Sequence, residues 1–174
     1  MRCVPRAYES TTPDASPEST AYEPSDPDYP PEPPSWIEWK DTIPFIPPIT
    51  EGQVIKVYDG DTITVASRLP YDGSPLYRFS VRLNGIDSPE MKGKSDDEKQ
   101  AAKRAQQALS NFILHKTVAL TNNKTEKYGR ILSNVYCDGI HINQWMIENR
   151  YAVEYDGGTK NCPESWLKYQ NADY

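Results

Sequence analysis

The chain has 174 residues, a formal charge of −6 and a pI near 5.0, with 37% hydrophobic and 25% charged residues. That length suits one domain with its own core plus a tail. No run is long and apolar enough to span a bilayer, and the opening "MRCVPRAYES" lacks the apolar stretch of a secretory signal, so an intracellular protein is expected.

Cys3, Cys137 and Cys162 form no CxxC pair, and His115 and His141 show no ligand spacing. A disulfide framework and a zinc site are therefore both disfavoured. The acidity is unevenly placed. Residues 1–46 hold three positive (Arg2, Arg6, Lys40) and nine negative charges of the total 19 and 25, leaving 16 of each sign beyond. The pI describes the front of the chain, and any attraction for a polyanion has to come from local patches.

Residues 1–35 are rich in Pro, Glu, Ser, Thr and Asp and nearly free of aliphatics. Such a segment cannot bury enough surface to offset chain entropy, so a disordered tail is expected. Its "PPEPP" is a polyproline II candidate, either a docking motif for a protein partner or a spacer. "SWIEWKDTIPFIPP" restores Trp36, Trp39, Phe45 and Ile46. An extended strap lying against the domain is expected over residues 36–51, with Pro47-Pro48 excluding a helix there.

The core is expected over residues 52–174. "QVIKVY" and "TITVAS" read as β-branched strands joined by the turn "DGD", in which Gly60 permits tight folding. "YRFSVRL" alternates, with Tyr77, Phe79, Val81 and Leu83 on one face and Arg78, Ser80 and Arg82 on the other. The period then changes. Ser95 and Glu98 form a capping-box pattern, and Ala101, Ala102, Ala105, Leu109, Phe112 and Ile113 recur at helical spacing, predicting a helix from Asp96 to Leu114. "TVALT" and "RILSNVY" are two further strands, "NQWMIENR" a short helix that Asn143 can cap, and "ESWLKYQ" a third helix. Five short strands with a helix after the third suggest a small closed barrel. An OB-fold leads, and other α+β arrangements fit the same pattern.

Three clusters carry the chemistry: "DGDT" (59–62), "RLNGIDSPE" (82–90) and "EKYGR" (126–130). Each lies at a strand end or turn, where a rigid scaffold presents functional side chains. Pro89 has no N–H and pushes Ser88 into an extended conformation, which lets the Ser88 carbonyl face a ligand while Asp87 and Glu90 flank the bend. Carboxylates converging on one site repel unless a cation sits among them, and oxygen-only ligands favour Ca²⁺ or Mg²⁺. Arg82 and Arg130 supply planar guanidinium forks suited to phosphate oxygens. The blander alternatives are acids that brace turns and arginines in surface ion pairs.

In order and spacing, "VYDGDTITV", "RLNGIDSPE" and "EKYGRILSNVY" resemble the staphylococcal nuclease-like (thermonuclease) family over roughly Gly52 to Tyr155. The resemblance implies a mainly β (α+β) fold, a five-stranded OB barrel with about three helices. It also implies a Ca²⁺-dependent phosphodiesterase that cleaves DNA and RNA and leaves 3′-phosphate ends. On that resemblance Asp61, Asp87 and the Ser88 carbonyl hold one calcium ion, with Ser88 standing where the family usually has threonine. Glu90 handles the proton of the attacking water, Arg82 and Arg130 stabilise charge at phosphorus, Lys127 and Tyr128 contact substrate phosphate, and Asp59 braces the turn. The family's paired tyrosines have no clear counterpart, and Tyr155 is not assigned a role. The neutral globular part predicts weaker non-specific affinity than in strongly basic members. Lys92, Lys94, Lys99, Lys103 and Arg104 form either a local basic edge or a solvated helix face. A monomer is expected. Two rival readings are a nuclease-like barrel that only binds nucleic acid or protein, and an adaptor acting through its proline-rich tail.

Overall fold

The β-branched runs of the middle of the chain pair as strands in the computed structural model, which describes residues 36–158 and 162–172. Strands β1 (Glu51–Val57), β2 (Thr62–Ser67) and β3 (Tyr77–Leu83) form an antiparallel meander. After β4 (Ile86–Asp87) comes helix α1 (Asp96–Ile113), followed by β5 (Thr117–Thr125) and β6 (Ile131–Cys137). The chain continues through β7 (Ile140–His141), α2 (Ile142–Glu148), β8 (Val153–Glu154) and α3 (Trp166–Asn171).

The sheet order is β3-β2-β1-β5-β6-β7, and a parallel β3–β6 pairing closes it, with Val81 opposite Ile131 and Leu83 opposite Ser133. The result is a closed five-stranded barrel, as the strand–helix order predicts. Closure removes the open sheet edges, and irregular register between Val54 and Lys56 in β1 and between Thr121 and Lys124 in β5 bends the sheet round.

Val54, Ile63, Val65, Val81, Leu83, Val118 and Val135 fill the interior with no measurable exposure. From α1, Ala105, Leu109 and Ile113 join that core. Each buried Leu or Ile contributes about 1.5–3 kcal/mol, and the small alanines let the helix axis approach the barrel. The β3 face is graded. Val81 and Leu83 are fully buried, whereas Tyr77 is 37% exposed, because only the later half of the strand lies inside the barrel. That later half also brings Arg82 to the barrel rim.

Two local expectations are corrected. Asn143 does not cap α2: the cap residue is His141, without a side-chain bond. Asn143 is instead buried, accepting from Val135 N–H at 2.9 Å and donating to Asn84 O at 2.8 Å and Ser133 O at 3.2 Å. Only half of the Ser95/Glu98 box forms. Glu98 N–H donates to Ser95 Oγ at 3.1 Å, while the Glu98 carboxylate turns away to other amides. Gly60 lies in the tight turn, and close packing requires it as well: a Cβ there would lie 2.8 Å from Ser88 Cβ and 2.9 Å from Ala105 Cβ.

Cα proximity divides the chain into a unit ending at Thr42 and a unit spanning Ile43–Tyr174. The expected tail, 1–35, lies outside the described residues. In the first unit, Trp39–Asp41 forms a 3₁₀ turn in which Glu38 N–H donates to Asp41 Oδ2 at 3.0 Å. In the second, Thr125 Oγ1 donates to Phe45 O and Asn123 Nδ2 to Ile49 O. Ile49, at 3% exposure, is the apolar residue of this stretch that enters the core, while the Phe45 side chain is 71% exposed.

Candidate active site

The turn after β1 places two acids two residues apart. Tyr58 N–H bonds Thr62 O at 2.9 Å, and Asp61 N–H donates to Asp59 Oδ1 at 3.1 Å, so Asp59 braces the turn. Asp61 is then directed into the protein at 3% exposure. Its Oδ2 accepts from Ser88 N–H at 3.0 Å, and its Oδ1 accepts from Thr62 Oγ1 at 2.9 Å and from Arg82 NH1 at 2.5 Å.

Arg82 arrives from β3 and meets a second acid. Its NH2 donates to Asp87 Oδ1 at 3.1 Å and to Ile86 O at 3.3 Å. One guanidinium thus bonds both Asp61 and Asp87, with side-chain exposures of 15%, 5% and 3% for Arg82, Asp61 and Asp87. Burial lowers the Arg82 pKa, but the neighbouring charge of Asp61 and the bond to Asp87 outweigh it and hold the group charged. The planar fork still has N–H donors beyond these three bonds.

Arg130 approaches from the turn before β6, where Gly129 adopts φ +81°. Its Nε and NH2 donate to Glu126 Oε2 at 3.3 Å and Oε1 at 3.1 Å, and its NH1 to Thr62 Oγ1 at 3.4 Å. Burial pushes Glu126 up, yet the bonds from Arg130 and Tyr128 N–H and the Arg130 and Arg82 charges hold it below the ordinary carboxylate range. Thr62 therefore links the two arginines: Arg130 donates to its hydroxyl, and that hydroxyl donates to the acid that Arg82 grips.

A cavity of about 300 Å³ opens over these groups, lined by Asp59, Asp61, Arg82, Ser88, Glu90, Glu126, Lys127, Tyr128, Arg130 and Tyr155. Seven of the eight sequence-predicted site residues line it, namely Asp61, Arg82, Ser88, Glu90, Lys127, Tyr128 and Arg130. The eighth, Asp87, lies behind Arg82 at 2% exposure. Lys127 Nζ sits 4.8 Å from the Tyr128 ring centre and the Arg130 guanidinium carbon 5.9 Å from it, which gathers two cations at an exposed aromatic face.

Two cavity-linked residues, Thr62 and Glu126, were not marked by sequence reasoning, and a third, Tyr155, was left without a role. Thr62 and Glu126 sit inside the quoted motifs; Glu126 bonds Arg130 within its own turn, whereas the Thr62 bond to Arg130 depends on long-range strand pairing. Tyr155 enters because β8 pairs with β4 and its N–H donates to Gly85 O at 2.9 Å.

Among the described residues, no three Asp, Glu, His or Cys side chains group closely enough to hold a metal by themselves. The oxygens gathered here are nevertheless all hard donors, and their balance is negative. Burial and the charge of Asp61 push Asp59 up to about 6. Oxygen donors of this kind suit a hard cation such as Ca²⁺ or Mg²⁺ over zinc.

The family model described as staphylococcal nuclease homologue matches residues 80–173, just over half of the chain. The chain belongs to this family. It is 34% identical over 106 residues to an "uncharacterized endonuclease" of Escherichia coli, covering 60% of this chain and 61% of that protein. An uncharacterized protein of Bacillus anthracis is 34% identical over 106 residues, covering 59% and 46%. A "probable staphylococcal-like nuclease" of Oryza sativa subsp. japonica is 28% identical over 78 residues, covering 45% and 22%. This staphylococcal nuclease homologue spans less than two thirds of the length of each of these relatives. Among the described residues, no helix is long and apolar enough to cross a membrane.

Proposed function

We propose that this domain is a Ca²⁺-dependent endonuclease that hydrolyses phosphodiester bonds of DNA and/or RNA and leaves 3′-phosphate ends. The observation that carries the reading is the shared cavity. Two arginines, a solvent-reachable glutamate and an acid-rich turn face one space large enough for a phosphate. Family membership and the "endonuclease" and "nuclease" names of the relatives support the same class.

Asp61, Asp87 and the Ser88 carbonyl would hold the ion, which when bound would polarise a phosphate oxygen. Arg82 and Arg130 offer their remaining N–H donors to the equatorial oxygens, whose charge grows in the transition state. Glu90 accepts the proton of a water that attacks phosphorus in line with the departing 5′ oxygen. Lys127 and Tyr128, on the exposed lip, contact a substrate phosphate. With a neutral barrel, substrate affinity rests on this local cluster and falls steeply with salt. The domain acts as a monomer, and the front segment supplies a spacer or a docking motif.

The test is digestion of plasmid DNA and single-stranded RNA with Ca²⁺ or EGTA, with end-group analysis. Cleavage that stops in EGTA and yields 3′-phosphates is expected. Nucleic-acid binding without cleavage would favour the binding-module alternative, and EGTA-resistant cleavage would remove calcium from the reading.

A further inference from the structure

Glu90 sits just past Pro89 in a loop with little packing of its own: Lys92 and Lys94 are exposed, and Met91 is only half-buried. The loop nevertheless has an internal anchor. Glu90 N–H donates to Glu98 Oε1 at 3.3 Å and Lys94 N–H to Glu98 Oε2 at 3.2 Å, so one carboxylate grips both ends of the loop. Between them Gly93 N–H closes on Glu90 O at 2.8 Å. Gly93 is shaped around the carboxylate as well, since a Cβ there would fall 2.4 Å from both Glu98 Cδ and Oε2. Glu98 lies in the first turn of α1, its own N–H bonded to Ser95 Oγ at 3.1 Å, and α1 is fastened through the fully buried Ala101, Ala102 and Ala105.

We propose that Glu98 is the positioning residue for Glu90, transmitting the rigidity of α1 to the loop that carries it. This rests on the reading of Glu90 as the group that takes the water's proton. A helix-capping glutamate would satisfy the amide of its own cap residue. This one reaches past Ser95 to the amide of Glu90 itself and to that of Lys94 at the far end of the loop. Ionised, it can accept at both oxygens, and such charge-assisted bonds are stronger than neutral ones. Glutamine keeps a single acceptor and presents an NH₂ group to the other amide, so Glu98→Gln releases one end of the loop with almost no change of size. Misplacing a reacting group by about 1 Å can cost up to about 10²-fold.

The test uses the full chain. Glu98→Gln is expected to lower kcat roughly 10-fold with KM within about twofold. In a Glu90→Gln background the same change is expected to have no further effect, because residues acting through one group are non-additive. Gly93→Ala, which displaces the carboxylate from the other side, should reproduce the kcat loss. Amide hydrogen exchange read by NMR supplies a measurement independent of cleavage: Glu90 and Lys94 N–H should exchange faster in Glu98→Gln while the amides in the middle of α1 keep their protection. An unchanged kcat, a full additional loss in the Glu90→Gln background, or unchanged exchange at both amides each overturns the proposal. Failure of the wild-type chain to cleave would instead overturn the nuclease reading, and the exchange result would still decide whether Glu98 holds the loop.

Discussion

Replacing Arg82 by methionine removes the one cation that Asp61 and Asp87 share while keeping a linear side chain of similar reach. Asp61 and Asp87 are buried and Arg82 is half-buried, with side-chain exposures of 15% or less. Two acids would then face each other without their guanidinium, a situation that costs about 3–5 kcal/mol when one partner of a buried pair is deleted. The folded unit Ile43–Tyr174 is of a size for which 1 kcal/mol moves Tm by roughly 3–5 °C, so a loss on the order of 10–20 °C is expected.

Thermal unfolding followed by circular dichroism in EGTA at neutral pH reads this directly. Adding Asp87→Asn should restore part of the loss, on the order of 1–2 kcal/mol, because one of the two acids that Arg82 neutralises loses its charge. Calcium should raise the Tm of Arg82→Met more than that of the wild type, since the ion would replace the missing positive charge. A cost below about 1 kcal/mol, or a double variant less stable than the single one, would refute the account of Arg82 as the counter-ion of this buried pair.

Asp59, pushed from 3.8 up to about 6 by burial and the Asp61 charge, gives a pH signature. A raised folded-state value contributes stability below about pH 4 that is lost as pH rises through about 6, up to about 3 kcal/mol at about 1.4 kcal/mol per pH unit and less with partial exposure. In EGTA, Asp59→Asn should therefore match the wild type near pH 4 and exceed it by about 1–2 kcal/mol above pH 6; a pH-independent difference in denaturant titrations would contradict this. Asn143→Ala strips partners from Val135 N–H, Asn84 O and Ser133 O and should cost about 3 kcal/mol or more in urea unfolding. A loss within about 0.5 kcal/mol would show that these groups are otherwise satisfied.

Much of the barrel was legible because local pattern and tertiary demand agree. The β-branched runs became β1, β2, β5 and β6, and the alanine-rich 3.6-residue repeat became α1, ending one residue from its expected limit. The charged motifs were legible for a related reason: short-range chemistry such as "GIDSPE" holds its acids within one bend whatever surrounds it. Other features had no local signature. Glu98 and Asn143 read as ordinary helix-start residues, and their true partners are amides and carbonyls that the fold brings to them. Thr62 looked like motif filler until the fold set it beside Arg130, whereas Glu126 meets Arg130 within its own turn.

By itself, then, the order of amino acids determined which segments extend, which coil and which charges travel together, since those outcomes depend on neighbours within a few positions. The tertiary structure alone decided that Arg82 bonds two acids at once, that Tyr155 shares their cavity and that Gly60 must lack a side chain beside Ser88 and Ala105. Apart from the Arg82–Asp87 bond, those contacts join residues far apart in the chain, and a linear pattern carries no distance between them until the barrel closes.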